Sequence, residues 1–275
     1  MPMTRRAAVA AILAGSALPA AAGADRRRPG LQLYSLREAM SASVPDTLER
    51  VASIGYGEVE FAGYFGHGPA EIRHFLAGAG LAAPSAHVDA VSARDNPQAV
   101  IDTTLEAGHA CAVIAWIPQH LRQGADDWRG WAETLNRFGA ACREAGLQFA
   151  YHNHDFEFAP QEDGLVPFDH LLNACDASLV GFELDIYWTR RAGADAAALL
   201  AAHPGRFPLC HAKDMGSDGA MVSVGAGQID FPALLNSPDG RGFEHVYAEH
   251  DNPPDPWTFA RDSHAALSRI LGQAP

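Results

Sequence analysis

The sequence predicts an α/β protein whose strands close into a (β/α)8 barrel, the TIM-barrel class. Eight short apolar segments alternate with segments of helix length, which is the order of a parallel sheet covered by helices. Most of these segments become polar only at their carboxyl ends, as buried parallel strands do. About 250 residues follow an amino-terminal leader, and this length suits one such barrel.

The predicted elements follow along the chain. The strand candidates are 30–36, 57–61, 83–88, 111–117, 147–152, 180–188, 207–212 and 245–250. Helix candidates are 44–54, 69–79, 127–145, 194–202 and 254–271, and early prolines or late glycines mark several of them. Glycines that follow a helix are Gly55, Gly80, Gly108 and Gly146. The glycine-rich segment 215–227 predicts a long loop over the mouth of the barrel.

Residues 1–24 resemble an export signal rather than part of the fold. Arg5 and Arg6 precede a small, apolar run that is too short and too rich in alanine to span a bilayer, and a small-residue cleavage site follows. The paired arginines predict a Tat-type signal, with a Sec signal as the alternative. We therefore expect removal of 1–24, a single catalytic domain over 25–275, and a periplasmic location without a membrane span.

The composition bears on partners and on the state of the thiols. With 20 basic and 33 acidic residues the chain has a formal net charge of −13, which repels phosphate backbones and argues against a nucleic-acid partner. The cysteines show no paired spacing and lie in apolar segments, at Cys111, Cys142, Cys175 and Cys210. Buried free thiols are favoured over the one disulfide that an exported protein would permit.

Lys213 is the only lysine of the chain, against 19 arginines. It follows His211 by two residues, so both side chains point to the same side of a strand. A lone lysine among many arginines favours a position that needs a compact ammonium rather than a planar guanidinium. A solvated charge at the end of a strand is the alternative.

Polar and ionisable residues stand at the carboxyl ends of most predicted strands, where TIM barrels carry their chemistry. Charges embedded in apolar strands are costly unless they are paired or bind a metal. The set therefore predicts one site at one end of the barrel rather than isolated structural salt bridges. Its members are Gln32, Tyr34, Glu60, His87, His152, His154, Glu157, Asp185, Trp188, His211, Lys213 and Glu249.

Aspartate, histidine and glutamate on neighbouring strands form a mixed set of oxygen and nitrogen ligands. Such a set suits one divalent metal, Mn, Co, Zn or Mg. The prediction rests on Asp185, His211 and Glu249 together, because Asp185 or Glu249 alone would more often be a structural acid. Cys210 points away from His211 on a regular strand, so it is assigned to the core.

Six segments resemble the sugar phosphate isomerase/epimerase family of xylose isomerase-like TIM barrels. They are 31–37 (LQLYSLR), 151–158 (YHNHDFEF), 182–188 (FELDIYW), 211–214 (HAKD), 224–231 (VGAGQIDF) and 247–249 (YAE). The resemblance implies one divalent metal bound by a strand-5 carboxylate together with Asp185, His211 and Glu249. Strand 5 departs from the family pattern, which leaves Glu157 or His152 as the fourth ligand. Glu157 is favoured, because a further carboxylate better balances a dication.

The resemblance also implies a reaction class, that of a metal-dependent isomerase or epimerase. Such an enzyme removes a proton next to the metal-bound carbonyl of a sugar. The expected acid and base groups are Glu157, Glu249, His152 and His87, and Lys213 would stabilise the enediolate. The expected substrate-binding residues are Gln32, Tyr34, Glu60, His87, His154, Trp188 and Lys213.

Other functions are compatible with parts of this pattern. A lyase or dehydratase acting on a 3-keto-glycoside or an inosose would use the same enediolate chemistry. A non-catalytic exported sugar-binding barrel would keep aromatic walls without needing the ionisable set, and a DNA-repair endonuclease is disfavoured by the acidic charge. The export signal favours a sugar substrate without phosphate, and the resemblance leaves a homo-oligomer open.

Overall fold

The computed structural model describes residues 27–273, which form a closed barrel of eight parallel strands. A short antiparallel hairpin lies between the seventh and the last barrel strand, and the first strand closes the barrel by pairing with the last. The predicted (β/α)8 class is therefore confirmed. In chain order the strands are β1 (Pro29–Gln32), β2 (Glu58–Ala62), β3 (Ala82–Val88), β4 (Cys111–Ile114), β5 (Gln148–His152), β6 (Gly181–Asp185), β7 (Leu209–Ala212), the hairpin strands β8 (Asp214–Met215) and β9 (Met221–Val222), and β10 (His245–Ala248).

Helices alternate with the barrel strands, and two of them have the predicted bounds. In the described chain the α-helices are α1 (Arg37–Ala42), α2 (Val44–Ile54), α3 (Pro69–Ala79), α4 (Ala90–Asp95), α5 (Pro97–Ala107), α6 (Ala125–Glu144), α7 (Pro167–Ala174), α8 (Ile186–Arg191), α9 (Ala196–Ala202), α10 (Phe231–Asn236) and α11 (Pro256–Ile270). The bounds of α2 and α3 match the prediction. The predicted leader over 1–24 lies outside the described residues.

The bounds of α2 follow from its local sequence. Ser43 caps the first turn, where its hydroxyl accepts a hydrogen bond from Asp46 N at 3.4 Å. Pro45 fits the same turn because the N–H that it lacks is not needed there. Gly55 ends the helix at a φ of 116°, a value that a residue with a Cβ adopts only at a cost.

Four barrel strands end earlier than the sequence predicts: β4 ends at Ile114 instead of 117 and β10 at Ala248 instead of 250, and the ends of β1 and β6 have a local cause. The prediction for the first strand is 30–36, but β1 ends at Gln32, whose Oε1 accepts a hydrogen bond from Tyr34 N at the start of a 3-10 turn. The prediction for the sixth strand is 180–188, but β6 ends at Asp185, whose Oδ1 accepts from Trp188 N at 2.8 Å and caps α8. In both places a polar side chain captures a backbone N–H group and turns the chain.

The predicted loop over 215–227 contains the hairpin strands and is held by a buried carboxylate. Asp214 is fully buried, and its two oxygens accept hydrogen bonds from four backbone N–H groups at distances of 2.8 to 3.2 Å. Their donors are Met215, Gly225, Gly227 and Ile229. The hairpin also contacts the barrel mouth, where Tyr187 Oη donates to Gly219 O at 2.9 Å.

The hydrophobic core lies mainly between the strands and the surrounding helices, and a smaller cluster fills the barrel below the site. That inner cluster consists of Cys111, Val113, Ala150, Leu209 and Tyr247. All four cysteines are buried and free, as predicted. Among residues 27–273, no helix is long and apolar enough to cross a membrane.

Candidate active site

Strand alternation brings the ionisable residues together inside the barrel. On β7, Leu209 belongs to the inner apolar cluster, so His211 points inward from the same face, two residues closer to the carboxyl end. On β6 the same alternation directs both Glu183 and Asp185 inward. The apolar layer is thus followed by a layer of charge at the carboxyl end of the strands.

A group of five side chains, here called the deep cluster, shares hydrogen bonds below the mouth. It consists of Glu60, His87, His152, Glu183 and His211. Glu183 Oε2 lies 3.0 Å from His87 Nε2, 3.0 Å from His152 Nδ1 and 3.1 Å from His211 Nε2. Glu60 Oε2 lies 2.7 Å from His211 Nε2. Both carboxylates are fully buried, and the histidines compensate their charge.

A second group, here called the mouth cluster, lies above it and includes the only lysine. Its members are Asp185, His211, Lys213, Glu249 and Asp251. Lys213 Nζ lies 3.0 Å from Asp185 Oδ2, 2.8 Å from Glu249 Oε2 and 2.7 Å from Asp251 Oδ1. His211 Nδ1 lies 2.8 Å from Glu249 Oε2, so that this histidine joins the two clusters. Lys213 is only 1% exposed, which rules out a solvated charge at the end of a strand.

Without a bound metal, the ion pairs keep the cationic groups protonated. Burial alone would lower the pKa of Lys213, but Asp185, Glu249 and Asp251 outweigh it and hold that pKa well above its usual value. Burial also opposes a charge on His211, yet neighbouring carboxylates raise its pKa well above the usual range. For Glu249 the effects are reversed: burial would raise its pKa, but Lys213 and His211 hold it well below the usual value.

Several buried oxygens of these clusters accept no hydrogen bond from any described residue. They are Glu60 Oε1, Glu183 Oε1 and Asp185 Oδ2, the last of which is paired with Lys213 by charge alone. Buried carboxylate oxygens without donors suit a cation. Two groups have ligand atoms within 4.8 Å of one another, namely Asp185, His211 and Glu249 at the mouth, and His87, His152, Glu183 and His211 below. The donor set therefore fits a divalent metal.

Glu157, predicted as a metal ligand and as an acid or base, lies apart from the other predicted ligands. It lies in a 3-10 turn, Phe156–Phe158, and is fully buried. Its Oε1 accepts from Tyr151 Oη at 2.7 Å and its Oε2 accepts from His154 N at 2.8 Å. Glu157 belongs to neither metal-binding group of described residues. Of the two strand-5 alternatives only His152 lies inside the barrel, 3.8 Å from Asp185 Oδ2 through Nε2.

An open pocket of about 570 Å³ lies over the mouth cluster. Of the predicted substrate-binding residues, five line it and two do not. Gln32 and Glu60 lie beneath the pocket, where Gln32 Nε2 donates to Glu60 Oε2 at 2.7 Å. The five that line the pocket are Tyr34, His87, His154, Trp188 and Lys213. His154 Nδ1 and Trp188 Nε1 are buried and have no hydrogen-bond partner among the described residues.

Sequence reasoning did not select Glu183 or Asp251, although both belong to the site. Glu183 precedes Asp185 by two residues on one strand, so the alternation of side chains could have revealed it. Asp251 lies beyond the end of β10, and no periodic pattern extends there. Its contact with Lys213 depends on the path of the chain after the strand.

The chain belongs to the family of xylose isomerase-like TIM barrels, whose family pattern matches residues 48–267. A sugar phosphate isomerase/epimerase from Parabacteroides distasonis is 26% identical, with a TM-score of 0.76 over 91% of this chain and 95% of that one. The IOLI protein with a bound zinc atom is 14% identical and shares the fold, with a TM-score of 0.68 over 89% of this chain and 98% of that one.

Curated relatives include the inosose dehydratase of Clostridium perfringens. It is 26% identical over 147 residues, which is 46% of this chain and 48% of the relative. The match thus spans about half the length of these relatives. It supports membership of the family without assigning their reaction to this chain.

Proposed function

We propose that the protein is a divalent-metal-dependent isomerase or epimerase that moves a proton beside the carbonyl of a sugar. One observation carries the proposal: the ligand atoms of Asp185, His211 and Glu249 lie within 4.8 Å of one another, beside Lys213 and beneath an open pocket with aromatic walls. A non-catalytic sugar-binding protein would need the walls but not this buried charge. The named reaction of the Parabacteroides relative supports the same class.

In this proposal Asp185, His211 and Glu249 hold the metal, with His152 as a fourth donor in place of Glu157. When bound, a divalent ion polarises a sugar carbonyl and acidifies the neighbouring C–H bond. Mn, Co, Zn and Mg all fit the oxygen and nitrogen donors, and the zinc-bound IOLI structure supports a metal in this fold.

The remaining roles go to side chains that line the pocket. Lys213 donates a hydrogen bond to the oxygen on which negative charge develops. Glu249 takes the proton from carbon, because it reaches the pocket from the barrel interior. His87 also reaches the pocket, but against the effect of burial Glu60 and Glu183 raise its pKa to about 9, which suits an acid rather than a base. His154 and Trp188 contribute ring faces to the wall against which the sugar packs. Return of the proton to the other face gives an epimer, and return to the next carbon gives an isomer.

Elimination is a second candidate reaction from the same intermediate. The match to inosose dehydratases supports it over about half of the chain. A dehydratase or lyase requires an acid that protonates the departing oxygen, and His87 stands in the pocket beside Glu60 and Glu183. The proposed Tat-type export and the acidic pocket both favour a keto-sugar without phosphate.

The test combines metal content with turnover. Protein purified without chelator is expected to hold about one Mn, Co, Zn or Mg ion per chain by mass spectrometry, and the Asp185→Ala/His211→Ala double variant should hold none. The metal-loaded wild type should consume keto-sugars, and Lys213→Met should slow it about a hundredfold. Sugar binding without metal or turnover would favour the sugar-binding barrel instead.

A further inference from the structure

Large apolar side chains with high exposure are few in the described chain, and two of them stand at the entrance of the pocket. Trp116 is 50% exposed and Tyr34 is 41% exposed, and both line the pocket. Leu105, at 37%, lies elsewhere on α5. Neither exposed ring belongs to the metal-binding groups. Exposed aromatic rings that flank a polar pocket indicate a surface that contacts a ligand.

The Trp116 ring is held in position despite its exposure. Arg122 packs against it with Cζ 4.9 Å from the indole centroid, and the same guanidinium lies 3.5 Å from the Phe156 centroid. Arg122 Nε donates to Ile117 O at 2.8 Å, which fixes the arginine. Phe156 meets the indole edge to face, with centroids 5.3 Å apart. A ring that is already ordered loses little entropy when a ligand stacks on it.

The Tyr34 ring is held in a corresponding way. Arg37 Cζ lies 4.7 Å from its centroid. Arg37 Nη1 donates to Asp251 O at 2.6 Å, and Arg37 Nη2 donates to Asn252 Oδ1 at 3.1 Å. The rim of the pocket thus carries two aromatic faces, each supported by an anchored arginine.

Carboxylates stand beside these rings. Asp155 and Asp251 line the same pocket. Arg191 Nε binds Asp155 Oδ2 at 3.2 Å and Lys213 Nζ binds Asp251 Oδ1 at 2.7 Å. The other oxygen of each side chain has no donor among the described residues, so it can accept from a hydroxyl. Aromatic faces next to acceptors match a pyranose, which has apolar C–H faces and a hydroxyl edge, and the negative charge disfavours phosphorylated ligands.

We propose that Trp116 and Tyr34 form an outer subsite that binds the second sugar ring of a glycoside. The inner ring would lie on the mouth cluster, so this inference rests on the proposed function for its inner half. The volume of about 570 Å³ falls within the range of roughly 300–1,000 Å³ that takes drug-sized ligands, and it has room for two rings. Trp116 and Tyr34 therefore select the glycoside over the free sugar without taking part in the chemistry.

The experiment compares glucose with cellobiose, and 3-ketoglucose with 3-ketocellobiose, by titration calorimetry on metal-loaded protein. Each disaccharide is expected to bind wild type about tenfold more tightly than its monosaccharide. Trp116→Ala should remove that gain and leave monosaccharide binding unchanged, whereas Trp116→Phe should restore most of it. Leu105→Ala is the matched control, since it removes an exposed apolar side chain away from the pocket.

The outcomes separate the subsite from the reaction. Three results would each overturn the subsite. Trp116→Ala could lower the affinities for disaccharide and monosaccharide equally, or it could lower neither. Leu105→Ala could lower the disaccharide affinity as much as Trp116→Ala does. No binding of any of the four sugars by wild type would overturn it as well. Trp116-dependent binding of the disaccharide without metal-dependent turnover would support the subsite and count against the proposed isomerase.

Discussion

At the scale of single residues, Lys213 is a full positive charge inside the barrel, 1% exposed and surrounded by Asp185, Glu249 and Asp251. Its ammonium is small enough to meet three carboxylates at 2.7 to 3.0 Å. A guanidinium is larger and planar, so arginine could not replace it in this position. This geometry gives a physical reason for a lysine in a chain that otherwise uses arginine.

Lys213→Met is expected to lower the free energy of unfolding of metal-free protein by about 3 kcal/mol, because it leaves buried carboxylates without their cation. Bound metal should reduce the loss, since a dication can supply the missing charge. Urea denaturation with and without chelator measures both values. Asp251→Asn is the control. Because that carboxylate is partly exposed, its replacement should lower the free energy of unfolding by less. Equal stability of Lys213→Met and wild type would contradict the ion-pair account.

Glu157 should make the stability of the protein depend on pH. Burial raises the pKa of Glu157 from 4.5 to about 7, against opposing hydrogen bonds from Tyr151 and His154. A carboxyl group with a raised pKa in the folded state stabilises that state below pH 4.5, and this contribution is lost as the pH rises through 7. Between pH 5 and pH 8 wild type should therefore lose about 2 kcal/mol relative to Glu157→Gln. Denaturation curves at the two pH values give this difference, and parallel behaviour of both proteins would refute it.

At the scale of elements, the segment after β7 depends on one carboxylate. Asp214 accepts four backbone N–H groups and thereby orders the residues from Met215 to Ile229 beside the pocket. A Cβ on Gly227 would collide with this carboxylate, which explains a glycine at that position.

Asp214→Asn is expected to destabilise the protein by about 2 kcal/mol, since an amide can serve only part of these donors. Amide hydrogen exchange at Gly225 and Gly227 should accelerate, while exchange in β5 should not. Asp218→Asn is the matched control, because Asp218 accepts only from Ala220 N in an exposed turn. Unchanged exchange at both glycines would show that the carboxylate does not hold the loop.

At the scale of the whole molecule, the barrel brings charges from six strands into one small volume. Binding of a divalent ion to the folded state alone should stabilise that state by mass action. We expect the Tm to rise by several degrees on addition of Mn or Zn and to fall with chelator. The Asp185→Ala/His211→Ala variant should show no such shift in calorimetry. A shift of equal size in that variant would place the metal elsewhere.

The fold could be predicted from the sequence because buried parallel strands are short, continuous apolar runs with polar carboxyl ends. The ends of the strands could not be predicted in the same way. Ile186, Tyr187 and Trp188 are as apolar as strand residues, but they form the first turn of α8. The deciding contact is the cap from Asp185 to Trp188 N, which periodicity does not reveal.

The candidate site was predictable to the extent that strand alternation governs it. Asp185, His211 and Glu249 follow from their places at strand ends, and the structure brings them together. Glu157 does not join them, because it lies past the end of β5, where a turn directs it toward Tyr151 instead of the barrel interior. Residues beyond strand ends depend on loop geometry that a single sequence does not encode in a readable pattern.

The burial of Lys213 also has a practical consequence for handling this protein. Reagents that acylate amines, such as succinimidyl esters, find the only lysine side chain enclosed in the barrel and paired with three carboxylates. Such reagents should therefore leave Lys213 of the native protein unmodified and acylate it only once the chain is denatured. A lysine-specific protease should likewise leave the folded chain intact and cut it once after denaturation.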